Sequence, residues 1–244
     1  MTATVEGAPI SPAGVRPSPS YAAGDAGLRP DFREILRLVR PGSRVLDVGC
    51  GEGVLLEALV QEKNCDGRGL EISAGGVSAC LARGLAVVQG DADRDLADFP
   101  ARGFDYAILS QTLQESAAPR EVLTELLRIA ERAVVSFPNF GHWRMRLSLL
   151  VHGRMPETRA LPHQWWSTPN IHMCTLRDFV ELCGELQIEI EFGAAFAAGK
   201  PPRRIVADRA IENWRAESAL FLLSRRSGGP RPIPEPVAKK DLFG

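Results

Sequence analysis

Three glycines at the end of a short apolar segment form the pattern in this chain that says most about its chemistry. The segment from Arg44 to Gly53 reads R-V-L-D-V-G-C-G-E-G, and a helix is predicted directly after it. Glycine lets a ligand lie against the backbone and accepts the positive φ of a tight turn. The predicted helix also points its unpaired N–H groups and the positive end of its dipole toward this turn. The pattern therefore predicts a nucleotide-type pocket at the carboxyl end of the first strand.

Three acidic residues lie where they could contact a ligand in this pocket. Asp47 is inside the glycine motif, and Glu71 ends the next predicted strand, where its carboxylate can accept hydrogen bonds from both ribose hydroxyls. Asp91 follows the third predicted strand in the motif G-D-A-D. There its carboxylate can accept from an adenine amino group while the backbone N–H of Ala92 donates to the ring. The three acids therefore predict contacts to an adenosine.

The same acids distinguish between possible cofactors. A phosphate-binding loop of the Walker type needs a G-K-[ST] ending, which the motif lacks. A dinucleotide motif G-x-G-x-x-G would have its third glycine at Val54, but that glycine comes one residue early, at Gly53. S-adenosylmethionine is net positive, whereas NAD(P) brings a pyrophosphate, and charges a few Å apart in a partly buried site interact strongly. The acidic residues therefore favour S-adenosylmethionine, with an NAD-dependent oxidoreductase as the alternative.

Composition limits the class of protein further. The chain has 244 residues, 45% hydrophobic residues and a formal net charge of −1, which predicts one α/β domain and no nucleic-acid or membrane partner. The five cysteines include no C-x-x-C pair, so we expect neither a disulfide framework nor a metal site. Scattered thiols of this kind are typical of a reducing, cytoplasmic compartment. They are Cys50, Cys65, Cys80, Cys174 and Cys183.

Strand and helix patterns alternate between two tails. Residues 1–30 and 227–244 are rich in small residues and proline, so we predict a disordered extension and a disordered tail around a domain at 31–226. Five strands are predicted at 44–48, 68–72, 85–89, 104–109 and 133–137, and two closing strands at 188–192 and 219–223. Helices are predicted at 31–39, 52–62, 74–82, 120–130 and 175–185. Thr175 with Asp178 three residues later predicts a capping box on the last helix.

The residues that could catalyse methyl transfer form no recognisable set. Transfer from a sulfonium needs an aligned nucleophile, exclusion of water and in some cases a base. Polar candidates beyond the fourth and fifth strands are Gln111, Gln114, Glu115, Asn139, His142, His163 and His172. None belongs to a known catalytic pattern, so the catalytic residues stay unassigned. Residues 142–172 also combine three tryptophans with four arginines, which predicts an interface, a lid over the cofactor, or both.

The motifs resemble known families at two levels. V-L-D-V-G-C-G-E-G, Glu71 and G-D-A-D resemble the class I S-adenosylmethionine-dependent methyltransferases. This implies a Rossmann-like α/β fold whose seven-stranded, mostly parallel sheet has the order 3-2-1-4-5-7-6, an antiparallel strand seven and helices on both faces. A narrower resemblance to the MetW family of methionine biosynthesis extends over roughly residues 31–225. It rests on G-L-E-I (69–72), S-Q-T-L-Q (110–114), S-F-P-N-F-G-H-W-R (136–144), G-R-M-P (153–156) and T-P-N-I-H-M-C-T (168–175).

The narrower resemblance implies a function and a set of cofactor contacts. Members of the MetW family are methyltransferase-like, and some act as a required or activating partner of homoserine O-acyltransferase. The resemblance therefore implies a protein that binds S-adenosylmethionine or S-adenosylhomocysteine and supports this acyltransferase. An active methyltransferase with an unidentified small-molecule acceptor is the alternative. The implied cofactor contacts are Asp47, Gly49, Cys50, Gly51, Glu71, Ile72, Asp91, Ala92 and Gln111.

Overall fold

The computed structural model describes residues 29–158, 163–205 and 210–226. Residues 1–28 of the predicted extension and the whole predicted tail at 227–244 lie outside the described residues. The first helix begins at Pro30, one residue before its predicted start at residue 31. Within the described ranges every helix is too short or too polar to span a bilayer.

The described strands form one eight-stranded sheet. In spatial order it runs β3-β2-β1-β4-β5-β8-β6-β7. Strands β1 to β5 pair in parallel, and β8 pairs antiparallel to both β5 and β6. The strands are β1 (Arg44–Val48), β2 (Asp66–Glu71), β3 (Ala86–Gln89), β4 (Phe104–Ser110), β5 (Ala130–Pro138), β6 (Ile188–Phe196), β7 (Arg203–Arg204) and β8 (Ser218–Arg225).

This sheet confirms the predicted fold class and strand order. The eighth strand is β7, a two-residue strand at the outer edge of β6 that is too short to give a sequence pattern. Without it, the order of the other seven strands is the predicted one, with the last strand of the chain antiparallel between the fifth and sixth.

Helices cover both faces of the sheet. They are α1 (Pro30–Leu38), α2 (Val54–Lys63), α3 (Ala74–Ala82), α4 (Ala92–Asp95), α5 (Pro119–Ile129), α6 (Trp143–His152), α7 (Leu176–Glu185) and α8 (Ala210–Arg215). The predicted capping box is present on α7, where Thr175 and Asp178 each accept the other's backbone N–H. Three helices were not predicted from the sequence, namely α4, α6 and α8.

Alternation along the central strands creates two apolar layers. In β1, Val45 packs into the layer with α1 and α2, whereas Leu46 and Val48 pack into the layer with α5 and α7. Asp47 therefore points to the α1 side of the sheet. Because side chains alternate along a strand, Ser110 in β4 and Ser136 in β5 point to the same side as Ile108 and Val134, which belong to that layer. Three polar side chains thus meet on one face at the carboxyl ends of adjacent strands.

Candidate functional site

The glycine turn is built as its composition predicts. Gly49, Gly51 and Gly53 have φ angles of 71°, 55° and 79°. The backbone N–H of Gly49 donates to the Leu70 carbonyl over 2.8 Å, which ties the turn to the end of β2. A Cβ on Gly49 would lie 2.6 Å from the Thr112 hydroxyl oxygen, whereas a Cβ on Gly51 would meet open space. The turn therefore requires glycine and leaves an open cradle above Gly51.

Glu71 joins this turn to the following helix. Its Oε2 accepts from the Gly51 N–H over 2.9 Å, and its Oε1 accepts from the Ser73 N–H over 2.8 Å. The side chain is buried, whereas the next residue, Ile72, is 64% exposed. The structure thus brings together Gly51 and Glu71, as the sequence predicts, and places an apolar side chain beside them.

The third predicted contact region lies next to Glu71. The Gly90 N–H donates to the Glu71 carbonyl over 3.0 Å, which brings Asp91 and Ala92 to the end of β2. Asp91 caps α4 by accepting from the Asp93 N–H over 2.9 Å. Asp93, the second acid of G-D-A-D, is a structural anchor instead, because its carboxylate accepts from the Ser116 hydroxyl and from two backbone N–H groups.

Asp47 is a buried acid whose ionisation the fold opposes. It is 2% exposed at the end of β1. Burial raises the pKa of its carboxyl to about 7, the Arg29 guanidinium opposes that rise, and the Glu71 carboxylate adds to it. Near neutral pH this carboxyl therefore gains a full negative charge most easily when a cation lies beside it.

A buried polar cluster beside Asp47 escaped the sequence analysis. Arg29, just before α1, forms an ion pair with Asp31, and its guanidinium also donates to the Ser110 hydroxyl over 2.8 Å. The Ser110 and Ser136 hydroxyls both donate to Asp31 Oδ2, over 3.1 and 3.0 Å. The N-terminal end of α1 is thereby fixed over the carboxyl ends of β4 and β5. Contacts between residues so distant in the sequence leave no local signal.

The segment after β4 contains a buried polar atom without a partner. Gln111 has a positive φ of 58°, and its N–H donates to the Ser136 carbonyl over 2.9 Å. Gln114 donates through Nε2 to the Gln111 carbonyl, while its buried Oε1 has no hydrogen-bond partner in the described part of the chain. An unpaired buried acceptor is costly. Oε1 is therefore available to a ligand that can donate a hydrogen bond.

Cys50, the remaining predicted contact in the glycine turn, is unsuited to nucleophilic chemistry. Its Sγ lies 3.8 Å from the Sγ of Cys80, and Cys80 lies 3.3 Å from the Gly51 carbonyl oxygen. Burial and the nearby Asp47 raise the pKa of the Cys50 thiol far above its ordinary value. The residue packs as a small neutral side chain under the turn.

The other candidates for acceptor chemistry lie further out. Asn139 is fully engaged: its Nδ2 donates to the Asn213 and Ala216 carbonyls, and its Oδ1 accepts from the Gly141 and Leu176 N–H groups. Burial lowers the pKa of His142 below its usual value. His172 is exposed, with Nε2 3.5 Å from the Ala117 carbonyl oxygen. Asn139 therefore serves the fold, and the histidines form no recognisable acid–base pair.

The site fits an adenosyl sulfonium. Its donor and acceptor set combines three carboxylates at the ends of successive strands with an open cradle over a glycine and the unpaired Gln114 Oε1. A buried carboxyl beside a second carboxylate is suited to a cation. These features, together with the strand order, define a protein with the class I methyltransferase fold.

Comparisons with known proteins agree with this class and refine it. A crystal structure of a SAM-dependent methyltransferase from Thermotoga maritima, described as a possible histamine N-methyltransferase, matches with a TM-score of 0.58 at 14% identity. The match covers 80% of this chain and 87% of that one. A second structure, from Mesorhizobium loti, has a TM-score of 0.58 at 18% identity and covers 80% and 96% of the two chains. At such identities the likeness shows the fold.

The family follows from the sequence comparison. The profile of the methionine biosynthesis protein MetW family matches residues 29–223, and this chain belongs to that family. The Rhodopirellula baltica protein named bifunctional methionine biosynthesis protein MetXA/MetW is 35% identical over 176 residues, which are 68% of this chain. That stretch is only 28% of the relative's length, so the match covers less than a third of the bifunctional protein.

Proposed function

We propose that this protein binds S-adenosylmethionine or S-adenosylhomocysteine and supports a homoserine O-acyltransferase in methionine biosynthesis. The proposed support of the acyltransferase rests on the bifunctional relative, whose name joins MetXA and MetW in one polypeptide. Fusion keeps two proteins at a high effective concentration, which is useful when they work as a complex. The five free thiols of the described chain are in keeping with work in a reducing cytoplasm.

Each predicted contact has a role in the proposed cofactor site. Glu71 accepts from the ribose hydroxyls, and Asp91 with the Ala92 N–H pairs with the adenine edge. Ile72 covers one face of the ring, since its side chain is exposed next to Glu71. Asp47 faces the ammonium of the methionine part. The backbone of Gly49, Cys50, Gly51 and Gln111 lines the cradle.

The alternative, an active methyltransferase, has one observation in its favour. Gln114 Oε1 is buried and unpaired within the described residues, so a bound amine or alcohol could donate to it. The binding role is favoured because Asn139, a polar residue directly after β5, makes hydrogen bonds to backbone groups through both atoms of its side-chain amide. It is therefore not free to act on a methyl acceptor. S-adenosylmethionine supplies an electrophilic methyl group when bound, and the protein's residues would orient it and exclude water.

Reconstitution with purified proteins tests the proposal. The full chain is mixed with the homoserine O-acyltransferase of the same organism, and both complex formation and acyl-transfer rate are measured. We expect co-elution and a higher rate than the acyltransferase shows alone. Separate elution with an unchanged rate would reject the partnership. Methyl-labelled cofactor added to a metabolite extract tests the alternative, which requires a labelled small-molecule product.

A further inference from the structure

Helix α6 carries its apolar stripe on the outside. Trp143, Leu147, Leu150 and Val151 are all exposed, Leu150 by 83%. Their spacing of four, three and one residues places them on one side of a helix. Met145 is 3% exposed and faces the protein instead. A surface helix normally turns such a stripe toward the core, so this stripe lacks a covering partner within the described residues.

Cations border the stripe. Arg144 and Arg146 are exposed and flank it on α6. The Arg144 guanidinium lies 5.4 Å from the centre of the Trp143 ring, and Arg146 lies 5.2 Å from the ring centre of Trp214 on α8. Trp214 is itself half exposed. Arginine and tryptophan around an apolar centre are typical of the few residues that dominate binding at protein interfaces.

The stripe lies at the same edge of the sheet as the candidate cofactor site. Helix α6 starts shortly after β5 ends, and Ser136 near that end belongs to the cluster beside Asp47. The segment before α7 is held at this edge too, because Phe140 N–H donates to the Cys174 carbonyl and Ile171 N–H donates to the Gln114 carbonyl. Ile171 and Met173, in that segment, are exposed apolar residues as well. A partner at this edge of the sheet would therefore lie close to the candidate cofactor site.

We infer that this stripe, with Trp214 beside it, is the docking surface for the homoserine O-acyltransferase, an inference that rests on the proposed function. The bifunctional relative supplies the candidate occupant, since its chain joins MetXA to the region matched here. The apolar stripe is complementary to an apolar centre on the partner surface, and the flanking arginines are complementary to an acidic rim around that centre. A second copy fits less well, because a twofold contact through α6 would bring Arg144 and Arg146 of both copies together.

The test places a charge in the stripe. In Leu150→Asp the new carboxylate would be buried without a partner in the complex, so we expect its dissociation constant for the purified acyltransferase to rise at least tenfold. The fold should be unaffected because Leu150 is so exposed. Leu81→Asp is the matched control, since Leu81 is 59% exposed on α3, away from the stripe. The control should bind within twofold of the unsubstituted protein.

The outcomes separate this inference from the proposed function. If the unsubstituted protein binds the acyltransferase and Leu150→Asp binds equally well, the surface assignment is overturned and the partnership stands. If the unsubstituted protein does not bind the acyltransferase, the proposed partnership is rejected, and the docking-surface assignment is rejected with it. Two direct assays then identify another occupant: vesicles of phosphatidylglycerol and phosphatidylethanolamine, and sedimentation for self-association. A vesicle or self-association signal that Leu150→Asp abolishes, without acyltransferase binding, overturns the inference.

Discussion

Ionisation of Asp47 in the candidate pocket makes the stability of the free protein depend on pH. Its carboxyl has a pKa of about 7 in the fold because burial opposes ionisation, Arg29 partly offsets this, and Glu71 adds to it. An unfolded aspartate has its ordinary pKa near 4. Between these values the folded state holds a proton that the unfolded state has lost, so this group makes the free protein less stable as pH rises. The full penalty, reached above pH 7, is roughly 4 kcal/mol.

A bound cation reverses that balance and gives a testable pH dependence. In the proposed site the cofactor's ammonium would stabilise ionised Asp47. We therefore expect binding at pH 6 to release close to one proton, and affinity to rise from pH 6 to pH 7.5. Calorimetry in buffers with different ionisation enthalpies measures the release. Asp47→Asn is the control. The cofactor's own amine titrates equally with both proteins, so the difference in proton release between them at each pH is due to Asp47. A binding heat at pH 6 that is the same in all buffers would contradict the assignment.

Arg29 is predicted to stabilise the fold through the buried cluster. The Arg29 guanidinium pairs with Asp31 and donates to Ser110. Its removal would leave the buried Asp31 carboxylate without this cationic partner and held by the two serine hydroxyls. A double-mutant cycle with Arg29→Gln and Asp31→Asn should give a coupling energy of about 2 kcal/mol in urea unfolding. The exposed pair Arg44–Asp105 is the control, and its coupling energy should be clearly smaller because solvent screens it. Equal coupling in the two cycles would show that burial adds nothing.

At the scale of elements, Asn139 joins three parts of the chain. Its side chain links the end of β5 to the end of α8 and to the first residue of α7. Asn139→Ala leaves several buried backbone groups unpaired, so we expect a loss of about 3 kcal/mol in the free energy of unfolding. Ser78→Ala removes an exposed side-chain bond on α3 and should cost less than about 0.5 kcal/mol. Similar losses for the two variants would argue against the structural role.

Elements with local signals were predictable, and elements defined by long-range contacts were not. The strand, glycine turn and helix at Arg44–Lys63 share one continuous stretch, and the Thr175 capping box needs only three residues. Helix α6 was missed because apolar residues lie on both of its sides: Met145 and Leu149 lie opposite the stripe, so the sequence lacks a clear one-sided helical pattern. The Asp31 cluster was missed because its bonds join residues 79 and 105 positions apart.

At the scale of the whole molecule, a ligand in this pocket would connect parts of the fold that the backbone joins only indirectly. Parallel strands bring their carboxyl ends to one edge, so the ends of β1, β2 and β3 and the start of α1 all meet there. A ligand that contacts only the folded state stabilises it in proportion to the logarithm of its concentration. Cofactor binding should therefore be visible in the unfolding of the entire domain.

Thermal unfolding with different cofactors tests this expectation. At about 100 times its dissociation constant a ligand contributes about 2.7 kcal/mol, which corresponds to a rise in Tm of roughly 5 to 10 °C for a domain of this size. We expect that rise with S-adenosylmethionine and with S-adenosylhomocysteine, and no rise with NAD. Glu71→Gln should remove most of it, whereas Glu62→Gln, an exposed acid on α2, should keep it. A rise in Tm with NAD alone would show that the pocket binds a dinucleotide instead of the sulfonium cofactor. Equal rises in Tm in the two variants would exclude Glu71 as a ligand contact.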